Sequence, residues 1–168
     1  MSVETKARNI LKPNIGLSDK SREASIEILN GRLADSVMLY TKLRKYHWNV
    51  TGMHFESLHE LFQDQYKQIE EAIDEIAERV RQLGGMAIGT LEEFKKHSGL
   101  KEEPGVNPDA EGMVQDLLND HEMVITQLRK DVTYTDEELG DLGTSDFLLG
   151  LIQSHEKMAW MLRAHLES

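Results

Sequence analysis

The sequence predicts an all-α protein: a bundle of four long helices, with one long crossover containing a short helix between the second and third. Three observations carry this. Four long segments repeat apolar residues at steps of three and four, the period of a helix. The connections between them run short, long, short, which suits antiparallel neighbours at both ends and a traverse in the middle. No strand-type alternation, internal repeat or low-complexity tract competes.

The first helix starts near Ser18 or Ser21, either of which suits an N-cap. Its apolar stripe runs Ile26, Leu29, Leu33, Val37, Tyr40 and Leu43, and the next step of four lands on His47. The second begins after Gly52, with Leu58, Phe62, Tyr66, Ile69, Ile73, Ile76, Val80 and Leu83 on one face, and stops at Gly84-Gly85. The crossover from Gly84 to Pro108 holds the short helical segment TLEEFKKH. At ~3.3 Å per extended residue it is long enough to cross a bundle. The third helix spans about Asp109 to Val132, with Met113, Leu117, His121, Val124 and Leu128 aligned. The fourth runs from about Ser145 to Leu166, with Leu148, Leu151, His155, Met158 and Leu162 aligned. Residues 1–17 read as a tail and 18–168 as the bundle domain.

Composition narrows the function. The chain has 168 residues, no cysteine and a net charge of −11. Disulfides, thiolate metal sites and cysteine nucleophiles are therefore excluded. The acidic balance repels nucleic acid and attracts cations. No signal-like run and no stretch long and apolar enough for a membrane span occurs, so a cytoplasmic protein without a membrane partner is expected. The tail carries Lys6, Arg8 and Lys12 against Glu4. That reads first as an ordinary solvated terminus and second as a short basic arm.

The stretch YHWNVTGMHFESLHE brings His47, His54 and His59 close in sequence. His47 and His59 flank a short turn and can converge. Iron(II) and similar ions accept imidazole together with carboxylate. The second helix offers Asp74 and Glu78 one turn apart. On a helical wheel Asp74 and Glu78 lie about 60° and 100° from His59, all three beside the apolar stripe and not on it. Yet His59 and Asp74 are about 22 Å apart along the rod at ~1.5 Å per residue, whereas metal–ligand bonds are near 2 Å. One chain cannot close this site. A twofold axis that crosses the second helix antiparallel brings His47 and His59 of one copy against Asp74 and Glu78 of the other. The competing site inside the bundle needs a Glu-x-x-His motif from each of two helices. This chain has one, Glu56 to His59; Ile152 precedes His155 and Leu118 precedes His121 at that spacing.

KYHWNVTGMHFESLHELF, DEIAERVRQLGG and HEKMAWMLRAHL together resemble the Dps family, the miniferritins known as DNA-binding proteins from starved cells. The resemblance covers the chain from about residue 20 to the end. It implies a ferritin-like four-helix bundle assembled, through twofold dimers, into a hollow homododecamer. It implies a ferroxidase that oxidises Fe(II) with hydrogen peroxide, less efficiently with O2, stores Fe(III) mineral and protects DNA. The family's ligands fall on His47 and His59 of one subunit and Asp74 and Glu78 of its partner. Iron is the expected metal, with zinc or another divalent ion able to occupy the same site. Trp48 matches the family tryptophan that takes up oxidising equivalents. Glu60 and Asp64 match mineral-nucleating acids, and Asp141 and Asp146 match a threefold pore, although an N-cap and a first-turn acid explain the latter two without a pore. The chain departs from many members at Gln63, where an acid is usual, which bears on how a second iron is held.

The remaining groups have plainer expectations. His121 and His155 read as hydrogen-bonded core histidines, His54 as a peripheral metal ligand or surface group, His97 as exposed, and His165 as a helix C-terminal cation. Trp160, Met158 and Met161 read as packing. The rival function is DNA coating and nucleoid compaction by the same fold.

Overall fold

The computed structural model describes residues 11–167. Lys6 and Arg8 of the basic arm lie outside them. The elements are α1 (Asp19–Asn49), α2 (Phe55–Gln82), the short α3 (Leu91–His97), α4 (Ala110–Thr133) and α5 (Leu142–Leu166), with a π-helical turn Tyr134–Glu138 joining the last two. No strand occurs among the described residues. α1 packs chiefly along α2 and α4 along α5, and the two hairpins close around one core in which Leu29, Phe62, Ile76, Leu117 and Leu148 are fully buried. This is the ferritin-like four-helix bundle with its long crossover.

Each boundary has a local cause. Ser18 caps α1 by accepting from the Ser21 N–H. α2 ends where Gly84 turns left-handed at φ +83°. A Cβ there would also meet Pro13 Cδ at 2.6 Å, so glycine lets the segment before α1 lie against the α2 terminus. Arg22 Nη1 donates to the Leu83 carbonyl at 2.7 Å and satisfies one of the free acceptors at that end. Thr90 and Glu93 form a capping box that starts α3. The crossover is tied down where Asp35 accepts from Ser98 Oγ and the Gly99 N–H, both at 2.8 Å. Arg32 balances that carboxylate at 3.0 Å and reaches Asp131 of α4 at 3.3 Å.

Several expectations need adjustment. α5 begins three residues before Ser145, because Asp141 caps it through the Thr144 N–H at 3.0 Å. The π-helical turn has no period signal in the sequence; Thr135 Oγ1 there donates to the Asp131 carbonyl at 2.8 Å. Ile26, Val37, Tyr40, Tyr66 and Ile73 are only half-buried, so they form the flank of the stripe. Met158 is buried packing, but Trp160 is 62 % exposed and Met161 37 % exposed. The α5 face that carries them has no partner among the described residues. His121 and His155 are buried and face each other, Nδ1 to Nδ1 at 2.9 Å. That agrees with core histidines held by hydrogen bonding.

Candidate metal centre

His47 lies in the last turn of α1 and His59 in the second turn of α2, so the short link around Gly52, itself at φ +105°, folds them together. Their rings stack with centroids 3.7 Å apart and planes 23° apart. The Nδ1 of His47 donates to the His59 carbonyl at 2.8 Å, and the Nδ1 of His59 donates to the His47 carbonyl at 2.8 Å. A carbonyl oxygen only accepts, so each Nδ1 carries a proton, and Nε2 is left as the ring nitrogen that can offer a lone pair. Two ring nitrogens of a type that suits a metal ion are thereby fixed in orientation.

Aromatic groups wall the pair. Phe55 tilts against His59 with centroids 5.1 Å apart, and Tyr66 meets the His47 ring edge-on at 5.3 Å. Trp48 is 64 % exposed beside His47, with the Arg44 guanidinium 5.2 Å from its ring. Gln63, one turn after His59, accepts from the Tyr66 hydroxyl at 3.4 Å. Sequence reasoning missed Arg44, Tyr40 and Tyr66 as site neighbours. The spacing of four from Tyr40 to Arg44 to Trp48 was the signal that could have found them.

Asp74 and Glu78 are exposed, one turn apart on α2, and free of the core. The fold does not bring them to the histidines of their own chain. Among the described residues, no group of three or more His, Asp or Glu side chains gathers tightly enough to hold an ion. One chain thus presents a preset imidazole pair at one end of α2 and a carboxylate pair near the other.

The other expected acids separate by exposure. Glu60 and Asp64 are exposed on consecutive turns of α2. Asp146 is exposed in the second turn of α5, so it is not the first-turn acid that a helix start near Ser145 would make it. Asp141 is 2 % exposed, caps α5, accepts from Thr144 Oγ1 at 2.7 Å and pairs with Arg79 at 3.4 Å. Of the two readings the sequence allowed for Asp141, the structure shows the N-cap, with its carboxylate committed to the fold. His54 and His97 are exposed, and His165 lies exposed in the last turn of α5.

A cavity of about 490 Å³ lies away from the histidines, between α1, the crossover and α4. Within it Lys42 pairs with Asp120 at 2.6 Å and Tyr46 donates to Asp116 at 2.5 Å. Burial and the Asp116 carboxylate push the Tyr46 hydroxyl pKa upward. In the His121–His155 pair, burial holds His121 well below its ordinary value and His155 down to about 4, so both stay neutral near pH 7.

Residues 26–168 match the family described as Ferritin-like domain. The chain is 50 % identical over 154 residues to a low temperature-induced protein of Nostoc, covering 92 % of this chain and 86 % of that one. It is 42 % identical over 141 residues to DNA protection during starvation protein 2 of Bacillus anthracis, covering 84 % and 95 %. Its fold superposes with a TM-score of 0.86 on a Dps protein from Vibrio cholerae, described as a member of a broad superfamily of ferritin-like diiron-carboxylate proteins. That match is 31 % identical and covers 95 % of this chain and 99 % of the other.

Proposed function

The chain belongs to the Dps family of ferritin-like proteins, and on that footing we propose that it oxidises Fe(II) and stores the product. The reading is a ferroxidase that prefers hydrogen peroxide to O2, works at sites shared across a twofold axis, and retains Fe(III) mineral inside a hollow homododecamer. Protection of DNA from oxidative damage follows from removing both reagents of radical chemistry. A cytoplasmic location, with or without nucleoid association, suits that role.

The observation that carries this reading is the reciprocal His47–His59 pair. Two imidazoles held with Nδ1 as donor and Nε2 outward form half of a mixed nitrogen and oxygen site. The other half is supplied by Asp74 and Glu78 of the partner subunit. Ferrous ion is drawn inward by the net charge of −11, with Asp146 as an exposed acid on its route. Peroxide takes one electron from each of two ferrous ions, its O–O bond breaks, and two hydroxide ions leave. Fe(III) then hydrolyses against Glu60 and Asp64. Zinc fits the same donors and would compete.

DNA coating is the weaker reading. The described basic residue of the tail, Lys12, is ion-paired to Asp19.

The test is an anaerobic Fe(II) soak of crystals followed by diffraction at the iron edge. An anomalous peak bounded by His47, His59 and the partner's Asp74 and Glu78 is expected. A peak inside the bundle, or none, would reject the shared site.

A further inference from the structure

The cavity between α1, the crossover and α4 takes no part in the iron chemistry above. It measures about 490 Å³, room enough to enclose a small organic molecule. Met38 of α1, Leu100, Pro104 and Val106 of the crossover, and Met123 of α4 give it apolar walls. Val106 and Met123 are exposed, so part of that apolar surface lies open to solvent. The two methionines are unbranched and fit their shape to what they enclose.

The polar groups of the cavity are unevenly matched. Its donors are committed within the chain. Thr41 Oγ1 donates to the Val37 carbonyl at 2.8 Å, Lys45 Nζ to the Val106 carbonyl at 2.5 Å, and the Tyr46 hydroxyl to Asp116 Oδ2 at 2.5 Å. Lys42 Nζ lies 2.6 Å from Asp120 Oδ2 and 3.3 Å from Asp116 Oδ2. The acceptors are not used up. Two carboxylates offer about eight lone-pair sites between them, against one ammonium and one hydroxyl from the chain.

Charge points the same way. Asp116 and Asp120 face the single ammonium of Lys42, and Asp120 is only 5 % exposed. Burial raises the Asp120 carboxyl above its ordinary value, so a further cation beside it is favoured. On the crossover, Lys101 is followed by Glu102 and Glu103, all three exposed, so that side adds no net positive charge.

An anion would meet excess negative charge and donors already engaged. A neutral apolar molecule would strip water from the two carboxylates and give nothing back. A cation with N–H donors and an apolar body suits both halves of the cavity. We propose that this cavity binds a small organic cation, an ammonium group on an apolar body, with Asp116 and Asp120 receiving the ammonium and Met38, Leu100 and Met123 enclosing the body. The site needs neither iron nor the ferroxidase reading.

The full-length assembled protein is titrated by calorimetry at pH 7 with phenethylammonium, and in parallel with hydrocinnamate, an anion of similar shape. Binding of one amine per chain is expected, with no binding of the anion. Asp116→Asn removes one carboxylate and should weaken the amine by at least about tenfold. Met123→Trp, at an exposed position, narrows the cavity without touching a carboxylate and should weaken the amine as well. It decides the matter if Asp116→Asn does not fold. Crystals soaked in the amine should show its nitrogen beside Asp116 and its ring between Met38 and Met123. No amine binding would overturn the assignment, and so would equal binding of the anion. Amine binding unchanged in both variants is adherence to an acidic surface and counts against it. A side chain of a neighbouring copy filling the cavity in the crystallised particle would overturn it too.

Discussion

His47 and His59 hold each other: each ring donates its Nδ1–H to the other residue's main-chain carbonyl, at 2.8 Å in both directions. The two side chains therefore act as one unit, and the α1–α2 turn is stitched by the same bonds that orient them. Replacing both by alanine removes half the ligand set. Peroxide-driven Fe(II) oxidation should slow by at least about tenfold, while size-exclusion chromatography still shows the assembled particle. Stopped-flow absorbance of Fe(III) measures the rate. An unchanged rate would take these residues out of the chemistry.

A shared site makes a sharper prediction from mixing. His47→Ala/His59→Ala chains and Asp74→Asn/Glu78→Gln chains should each be inactive alone. In a mixed twofold dimer, one of the two sites draws its histidines and its carboxylates from intact halves. Random co-assembly from unfolded chains should restore about a quarter of the parent activity. Mixed particles as inactive as their parents would argue that each chain closes its own site or that the pairing is wrong.

The His121–His155 pair predicts an acid dependence of stability. Burial depresses both pKa values, that of His155 to about 4 against an ordinary 6.5. A base whose folded pKa lies below its unfolded value contributes stability in full above the unfolded value. That contribution is lost as pH falls from about 6.5 toward about 4. His155 alone is worth about 3 kcal/mol over that window at ~1.36 kcal/mol per pKa unit. A His121→Leu/His155→Leu variant should show a shallower fall in urea midpoint between pH 7 and 4.5. A parallel fall in both proteins would place the acid sensitivity elsewhere.

Asp141 and Asp146 should separate cleanly. Asp141 caps α5 and pairs with Arg79, so Asp141→Ala should lower stability by about 1–2 kcal/mol, seen as a lower melting temperature. Asp146 is exposed, so Asp146→Asn should leave the melting temperature nearly unchanged. If Asp146 lies on the ion's route, the same variant slows Fe(II) uptake at low ionic strength, and equal uptake would remove it from that route.

How much of this was legible before the fold was known differs residue by residue. The helices were legible because local periodicity and caps create them: Ser18, Gly84 and the Thr90–Glu93 box work within a few residues of themselves. The start of α5 was misplaced because Asp141 caps it from inside a turn whose π-helical geometry leaves no repeating pattern. Trp160 reads as packing because an aromatic beside an apolar stripe looks buried until the rotation of α5 is known, and the fold leaves it exposed.

The amino-acid sequence alone determined that His59 and Asp74 cannot grip one ion in one chain, since helical rise is a constant of the backbone and needs no neighbour. It also determined which side chains carry suitable donors. Only the tertiary structure decided that His47 and His59 lock each other through their carbonyls and that Asp141 is spent on a cap. Those relationships depend on how far each helix is turned about its axis against the next. That rotation is set by the packing of residues distant in sequence, and no local pattern encodes it.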